Sequence, residues 1–310
     1  MAAIWEDCDE LTFPDEAAWY AERPHHLGAS EIAVLLGHGY ASDSVYSLYQ
    51  EKIGEYVKPW TKDEQERLDR GKRAERFIAG EYEAIECQAV VIDETPVIRV
   101  WREWPVLSCT IDGRIFSRGE WVPIEMKFLG LHQRNEFRDE AAPLKYSIQL
   151  QAQMSVLGAS HGILAVMFGN DLEVRIVERH DVLIEQMRLR ARSFWDDHVQ
   201  KRVAPDIDDS EATWNAIRYV HREPDKTAVL LPDDIYQCVE DYQIASDKEK
   251  ESKKLAQQMK SKIADHIGRN TYGYFGDGTT VSWKEGSRSR QFRILKKAPK
   301  EVIEAINNDN

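Results

Sequence analysis

The chain has 310 residues, of which 42% are hydrophobic and 10% aromatic, and its formal net charge is −13. This length allows one sizeable core with an appendage, and the composition excludes a largely disordered chain. The net acidity does not favour a generally basic nucleic-acid-binding surface. A protein that gathers carboxylates around a metal ion would need only one local basic surface, so the distribution of charge decides more than its sum.

The cysteines and the apolar residues restrict the cellular setting. The four cysteines are far apart and show neither a CxxC pair nor zinc or iron–sulfur spacing: Cys8, Cys87, Cys109 and Cys238. They predict free thiols in a reducing compartment. No run of about 18 apolar residues occurs, and the first ten residues are acidic, unlike a signal peptide. We therefore expect a cytoplasmic protein that makes no membrane contact.

The first 86 residues are predicted to be helical. Ser30 is expected to cap one helix, Ser44–Ile53 forms a second, and Asp63–Ile85 forms a longer third. In the third helix, apolar residues recur at three- and four-residue spacing and predict a stripe that faces the core. Glu75 lies next to this stripe.

The following 115 or so residues alternate between strands and helices. Four strands, punctuated by Asp112-Gly113 and Arg118-Gly119, predict an antiparallel meander. A helix, a strand pair and a last helix complete the unit. The predicted strands are Val97–Trp104, Leu107–Thr110, Gly113–Phe116, Trp121–Lys127, Ile163–Phe168 and Leu172–Glu178; the helices are Lys145–Leu157 and Asp181–Lys201. The fold class is therefore α/β (α+β).

An acidic, proline-bearing stretch at Pro205–Ser210 predicts a domain boundary, with domains at 1–208 and 209–310. The second domain is predicted to hold a charged helix, Asp233–Ile267, and a hairpin, Val281–Lys297. The hairpin concentrates basic residues, and a solvated charged face explains them as well as a DNA contact does. The candidate DNA contacts are Lys284, Arg288, Arg290 and Arg293.

The residues with the clearest chemical meaning are Asp112, Glu125 and Lys127. Side chains alternate along a strand, so Glu125 and Lys127 share one face. If Asp112 ends the neighbouring strand, its carboxylate approaches Glu125, and with a backbone carbonyl the two make an oxygen site for Mg²⁺. Glu-x-Lys alone is weak evidence, because salt-bridged pairs are common on strands. The apolar flanks of this strand strengthen it, since they predict burial.

Two helices contribute further candidates. Glu75 offers a third carboxylate, although a glutamate at such a boundary more commonly pairs with a neighbouring arginine or points to solvent. Tyr146, Gln149 and Gln153 lie on one face of the predicted helix Lys145–Leu157. Amides on that face could orient water or phosphate, but exposed glutamines are ordinary in helices.

Taken together, the motifs resemble those of the YqaJ-like viral recombinases, the group that includes lambda exonuclease within the PD-(D/E)xK nuclease superfamily. Five motifs occur in the order of that family, within about two thirds of the chain. They are Leu27–Gly37, Arg70–Glu75, Thr110–Gly113, Glu125–Lys127 and Tyr146–Gln151.

The resemblance implies a restriction-endonuclease-like core, a mixed central β-sheet flanked by helices, with a C-terminal extension of helix and hairpin. It implies an exonuclease that uses Mg²⁺, or Mn²⁺ as a substitute, to degrade linear double-stranded DNA from its ends, 5′→3′, in phage-type recombination. Relatives form trimers and work with a single-strand annealing protein. If the chain is phage-encoded, its setting is the bacterial cytoplasm.

The resemblance also assigns roles to residues. Asp112, Glu125 and the Met126 carbonyl would bind the metal, Glu75 would assist at a second metal or through water, and Lys127 with Gln149 would complete catalysis. Tyr146 and Gln153, which share the helix face of Gln149, are candidates to support the site from their spacing alone. Arg23 and Ser30 correspond to positions that hold the 5′-terminal phosphate of the degraded strand.

Two other functions remain open from the sequence. The same fold and metal site could serve a structure-specific or site-specific endonuclease. Alternatively, Asp112 and Glu125 could merely pair with Lys127 in a non-catalytic DNA-binding or assembly module. The products of DNA digestion would separate the first from an exonuclease, and a lack of digestion would favour the second.

Overall fold

The computed structural model describes residues 4–137, 141–225, 227–287 and 289–309. It divides the chain into two compact units, one that ends at Pro224 and one that begins at Asp225. Among the described residues, no helix combines the length and the apolar character needed to cross a bilayer.

The first unit holds seven helices and eight strands among its described residues. The helices are α1 (Glu16–Glu22), α2 (Ala29–Leu35), α3 (Val45–Lys52), α4 (Lys62–Glu86), α5 (Leu144–Leu157), α6 (Asp181–Phe194) and α7 (Glu211–Val220). The strands are β1 (Cys8–Thr12), β2 (Leu27–Gly28), β3 (Val97–Trp101), β4 (Leu107–Cys109), β5 (Gly113–Ser117), β6 (Glu120–Leu129), β7 (His161–Phe168) and β8 (Asp171–Glu178). Short 3₁₀ turns occupy Arg23–His25 and Leu131–Phe137, and a π-helical turn, Trp195–Val199, extends α6.

These strands form two four-stranded sheets, ordered β1-β3-β4-β2 and β5-β6-β7-β8. The second sheet is mixed, because β6 and β7 pair in parallel while the pairs β5–β6 and β7–β8 are antiparallel. Every residue of β7 is buried, as its central position requires. Helix α4 packs along this sheet, and α5 contacts strands of both sheets. The sheets and helices thus surround β6, which carries the candidate catalytic residues.

The predicted four-stranded meander is wrong in one respect. β3 and β4 pair, and β5 and β6 pair, but β4 and β5 lie in different sheets. The chain passes between the sheets at residues 110–112, so Asp112 lies in the crossing and not within a hairpin. The predicted all-helical start also misses β1, a five-residue strand that pairs antiparallel with β3.

The boundary between the units lies after Pro224, later than the predicted division at 208/209. The reason is α7, which packs on α3 in the first unit. Ala216 is fully buried in a small cluster with Tyr46 and Tyr56, and the Thr213 hydroxyl donates to Ser44 Oγ at 2.8 Å. The acidic stretch before α7 is therefore a loop within the first unit.

The second unit contains a 35-residue helix, α8 (Asp233–Ile267), a three-stranded sheet and a terminal helix. The strands are β9 (Tyr272–Tyr274), β10 (Thr280–Lys284) and β11 (Gln291–Leu295), and the last helix is α9 (Lys300–Asp309). The strand order is β11-β10-β9, antiparallel throughout. The predicted hairpin corresponds to β10 and β11, and α8 has the predicted bounds.

The packing of α7 gives a stability prediction. Ala216→Asp would bury a carboxylate against Tyr46 and Tyr56, so we expect the free energy of unfolding to fall by about 3 kcal/mol in urea titrations. Asn215→Asp adds the same charge at the neighbouring exposed position and should change the free energy by less than about 0.5 kcal/mol. Equal losses in both variants would contradict the assignment of α7 to the first unit.

Candidate active site

Strand β6 places an acid and a base on one face of a buried sheet. It is long and apolar, with Val122, Ile124 and Met126 buried, and it is hydrogen-bonded on both sides, by β5 and β7. Alternation puts Glu125 and Lys127 on the same face. The Glu125 side chain is 1% exposed and that of Lys127 is 24% exposed, and the two form an ion pair through Glu125 Oε1.

Asp112 reaches the same place from the crossing between the two sheets. Its Oδ2 accepts a hydrogen bond from the Met126 backbone N–H at 2.8 Å. Gly113, the next residue, pairs with Ile124 at the start of β5. The backbone of β6 therefore holds the Asp112 carboxylate beside the strand that carries Glu125 and Lys127.

Helix α5 supplies two amides to the buried Glu125 carboxylate. Gln149 donates to Oε1 and Gln153 donates to Oε2, each at 2.6 Å. Gln153 is fully buried and also lies 3.4 Å from the Thr110 carbonyl. Because a buried carboxylate is costly unless it is hydrogen-bonded, the two glutamines satisfy both oxygens of Glu125 and fix its position. The predicted polar face of α5 is thus directed at β6.

Glu75 approaches this group from α4, which packs along β6. Burial, with a further contribution from the Glu125 charge, raises the pKa of Glu75 from 4.5 to about 7, although Lys127 and Lys72 act against the rise. Burial and the charge of Glu125 likewise hold the pKa of Asp112 well above its ordinary value. Asp112 and Glu75 are therefore close enough to Glu125 for its charge to disfavour their ionisation.

Lys127 is the cation that partly balances these acids. Burial lowers the pKa of its ammonium, but the charges of Glu125 and Asp112 overcome this effect and raise the pKa above its ordinary value. Lys127 is therefore charged at neutral pH and would serve as a charged donor, not as a free base. Lys127 supplies a single positive charge to this cluster, and a bound divalent cation would stabilise the ionised forms of the acids.

The donor atoms suit a hard cation such as Mg²⁺ in type, since all are oxygens: two carboxylates and the Met126 carbonyl. The buried Oε1 of Gln153 has no hydrogen-bond partner among the described residues and adds an oxygen at the same place. The described part of the chain contains no group of three or more His, Cys, Asp or Glu side chains arranged to hold a metal. The fit therefore depends on two carboxylates supplemented by neutral oxygens.

Arg23 and Ser30, the predicted phosphate residues, lie on the segment that runs beside β4. The Arg23 guanidinium is 4.8 Å from the centre of the Trp19 ring. Ser30 is exposed in the first turn of α2. It is not the cap that the sequence predicts, because the helix begins at Ala29 and Gly28 takes the cap position. β2 pairs with β4, whose chain continues to Asp112.

The structure adds one residue that the sequence analysis missed. Tyr40, in the loop between α2 and α3, lies beside the buried Tyr146; burial and then the neighbouring Tyr40 raise the pKa of Tyr146. It also lies close enough to Lys127 to raise the pKa of that ammonium. Its ring is 54% exposed. Nothing in the loop sequence signals this position, because the contact depends on how α2 and α3 pack.

The basic candidates in the second unit differ in their surroundings. The Arg290 guanidinium donates to the backbone carbonyls of Gly268, at 2.6 Å, and of Asn270 and Trp283, so it holds the unit together. Lys284 and Arg293 are exposed. Arg288 lies outside the described residues. A DNA contact in this unit would thus rest on Lys284 and Arg293 and not on Arg290.

Solved structures of two exonucleases superimpose on part of this chain. An alkaline exonuclease (LHK-Exo) from Laribacter hongkongensis superimposes with a TM-score of 0.50 at 16% identity, over 60% of this chain and 93% of that chain. A phage related exonuclease from Haemophilus somnus 129PT gives 0.44 at 12%, over 57% and 96%. The first likeness concerns the fold, and it confirms the predicted fold class: a mixed sheet flanked by helices.

The sequence comparisons show which proteins the chain is similar to. Residues 18–160 match the model of the YqaJ-like viral recombinase domain. The "Uncharacterized protein YqaJ" of Bacillus subtilis (strain 168) is 26% identical over 271 residues, which span 86% of this chain and 82% of that protein. The resemblance predicted from the motifs is confirmed, and the matched segment includes the candidate residues on α4, β6 and α5.

The raised pKa of Glu75 gives a prediction for stability in metal-free buffer. The folded protein disfavours the ionised form, so Glu75 costs stability as the pH rises from 4.5 through about 7. We compare the free energy of unfolding of Glu75→Gln with that of the wild type in urea titrations with EDTA. We expect this difference to shift in favour of the variant by about 1–2 kcal/mol between about pH 4 and about pH 8. Glu66→Gln, on the exposed face of α4, serves as the control. A constant difference across the pH range would rule out the buried acid cluster.

Proposed function

We propose that this protein is a divalent-metal-dependent deoxyribonuclease that degrades linear double-stranded DNA from its ends. The observation that carries the proposal is the convergence of Asp112, Glu125 and Lys127 on one face of β6, with both oxygens of Glu125 held by glutamines from α5. Phosphodiester hydrolysis needs an acidic metal site with a cation beside the attacked phosphate, and these residues provide both.

Asp112, Glu125 and the Met126 carbonyl would hold the metal, and Glu75 would assist, directly or through water. When bound, Mg²⁺ or Mn²⁺ would lower the pKa of a coordinated water and offset charge on the phosphate. Lys127 orients the attacking water and donates to the phosphate oxygens, because its raised pKa keeps it protonated. Gln149 donates to Glu125 Oε1 and would keep that oxygen hydrogen-bonded when Lys127 leaves it to bind the substrate phosphate.

The preference for ends rests on Arg23 and Ser30. We propose that they bind the 5′-terminal phosphate, which would give 5′→3′ degradation. Arg23 forms no ion pair with a carboxylate in the described part of the chain, and its stacking on Trp19 leaves a charged donor for an anion. Single strands left by such degradation are substrates for homologous recombination, and a single-strand annealing protein is the proposed partner. A trimer around the DNA is the proposed assembly.

One observation favours a second candidate function. In the described structure Lys127 pairs with Glu125, and both Glu125 oxygens already accept hydrogen bonds. A closed network of this kind is also what a non-catalytic DNA-binding module would contain. A third candidate, an endonuclease of the same fold, would use the same residues to hold the metal but would not need a DNA end.

Digestion of DNA separates these functions. We expect the wild type with Mg²⁺ to degrade linear duplex progressively to mononucleotides and to spare a closed circle. Lys127→Met should lower the rate about 10³-fold, because a positioned charged group typically contributes on this scale. Lys201→Met, which alters an exposed ion pair with Asp197 in the turn after α6, should digest at the wild-type rate.

The outcomes are exclusive. Cleavage of the closed circle into discrete fragments would support the endonuclease. No digestion by the folded wild type in Mg²⁺ or Mn²⁺ would overturn the catalytic proposal and leave the DNA-binding module.

A further inference from the structure

A buried ammonium at the C-terminal end of α3 holds the segment that carries Arg23 and Ser30. The Lys52 side chain is 3% exposed. Its Nζ donates to the His26 carbonyl at 2.6 Å and lies 3.3 Å from the Arg23 carbonyl. It also lies 2.9 Å and 2.7 Å from the two carboxylate oxygens of Glu31. One side chain thus connects both ends of the turn before β2 to the first turn of α2.

Glu31 extends this connection into the backbone. Its Oε2 also accepts from the Gly28 N–H at 2.8 Å, so the carboxylate joins Lys52 to the residue that caps α2. The segment is held from its other side as well, where the Leu27 N–H donates to the Val106 carbonyl at 2.7 Å and the His26 ring bonds the Pro105 carbonyl at 2.8 Å. Residues 23–31 are therefore fixed by contacts on two sides.

The burial of the Lys52–Glu31 ion pair carries a large desolvation cost. Removing an ammonium and a carboxylate from water costs energy that their attraction recovers only with good geometry, and apolar side chains of similar size often serve stability as well. What a buried, fully bonded ion pair adds is a defined position for the groups bonded to it. Here those groups are the backbone of Arg23, His26 and Gly28.

We propose that Lys52 and Glu31 are positioning residues for the terminal phosphate of DNA: their ion pair fixes the backbone that carries Arg23 and Ser30, so that both side chains can bind one phosphate group. The proposal rests on the proposed function of the same site. Neither residue needs to touch the DNA. Their role is to make recognition of a 5′-phosphate selective, because a rigid pair of donors discriminates better than two mobile side chains.

The test measures binding without catalysis. Two blunt duplexes of one sequence, differing only in a 5′-phosphate or a 5′-hydroxyl, are labelled at their 3′ ends and titrated with full-length protein in EDTA by fluorescence anisotropy. We expect the wild type to bind the phosphorylated duplex about tenfold more tightly, which corresponds to one charge-assisted contact. Lys52→Met should bring this ratio close to one while its affinity for the hydroxyl duplex stays within about twofold of wild type.

Two further variants separate positioning from folding. Lys52→Arg keeps the charge and should restore part of the ratio, and Glu31→Gln, which keeps an acceptor for the Gly28 N–H, should lose it even if Lys52→Met fails to fold. Lys58→Met removes another partly buried lysine, which pairs with Asp43 outside the segment, and should keep the full ratio.

The result can overturn the proposal in two ways. A folded Lys52→Met or Glu31→Gln variant with the wild-type ratio would assign the pair to stability alone, and a wild-type ratio of one would show that there is no phosphate selectivity to position. Digestion of linear duplex in Mg²⁺, run in parallel, reports on the proposed function separately, because the binding ratio can be read whether or not the DNA is cut.

Discussion

The burial of the Glu125 carboxylate is the constraint on which the rest of the site depends. A carboxylate with 1% of its side chain exposed is tolerable only if its oxygens accept strong hydrogen bonds or face a cation. β6 supplies Lys127 two residues further on, and α5 supplies Gln149 and Gln153. Helix α5, which contacts strands of both sheets, therefore also provides the hydrogen bonds that the buried Glu125 requires. The same contacts stabilise the fold and position the site.

The same burial explains why the neighbouring carboxyls have raised pKa values. Asp112 and Glu75 enter a region that already holds one negative charge, so burial and repulsion raise the pKa of each. A stable fold would ordinarily avoid such a cluster, because each unpaired buried charge costs several kcal/mol at about neutral pH. Such a cluster is expected in a protein that binds a divalent cation there, because the attraction of the cation stabilises the ionised carboxylates that burial alone would destabilise.

Much of this arrangement could be predicted from the sequence because it depends on short-range rules. Alternation along a strand placed Glu125 and Lys127 on one face, and helical spacing placed Gln149 and Gln153 together. The buried flanks of β6 followed from its apolar residues. The long helices, α4 and α8, had clear periodicity or charge patterns, and their bounds were close to those observed.

What could not be predicted depends on pairing between distant segments. The split of the meander into two sheets is decided by β1 and β2, which pair with β3 and β4 and have weak patterns of their own. The boundary at Pro224 depends on Ala216 meeting Tyr46 and Tyr56, a contact across about 170 residues. Tyr40 and Lys52 carry no local signal, because only the packing of α2 and α3 gives them partners.

The central claim is that the acid cluster binds a divalent cation, and Mn²⁺ binding monitored by electron paramagnetic resonance tests it most directly. The account predicts that the wild type binds Mn²⁺, that excess Mg²⁺ displaces it, and that Asp112→Asn, which keeps an acceptor for the Met126 N–H, loses this binding while remaining folded. A folded wild type that leaves Mn²⁺ free in solution, or an Asp112→Asn variant that binds it equally well, would contradict the account.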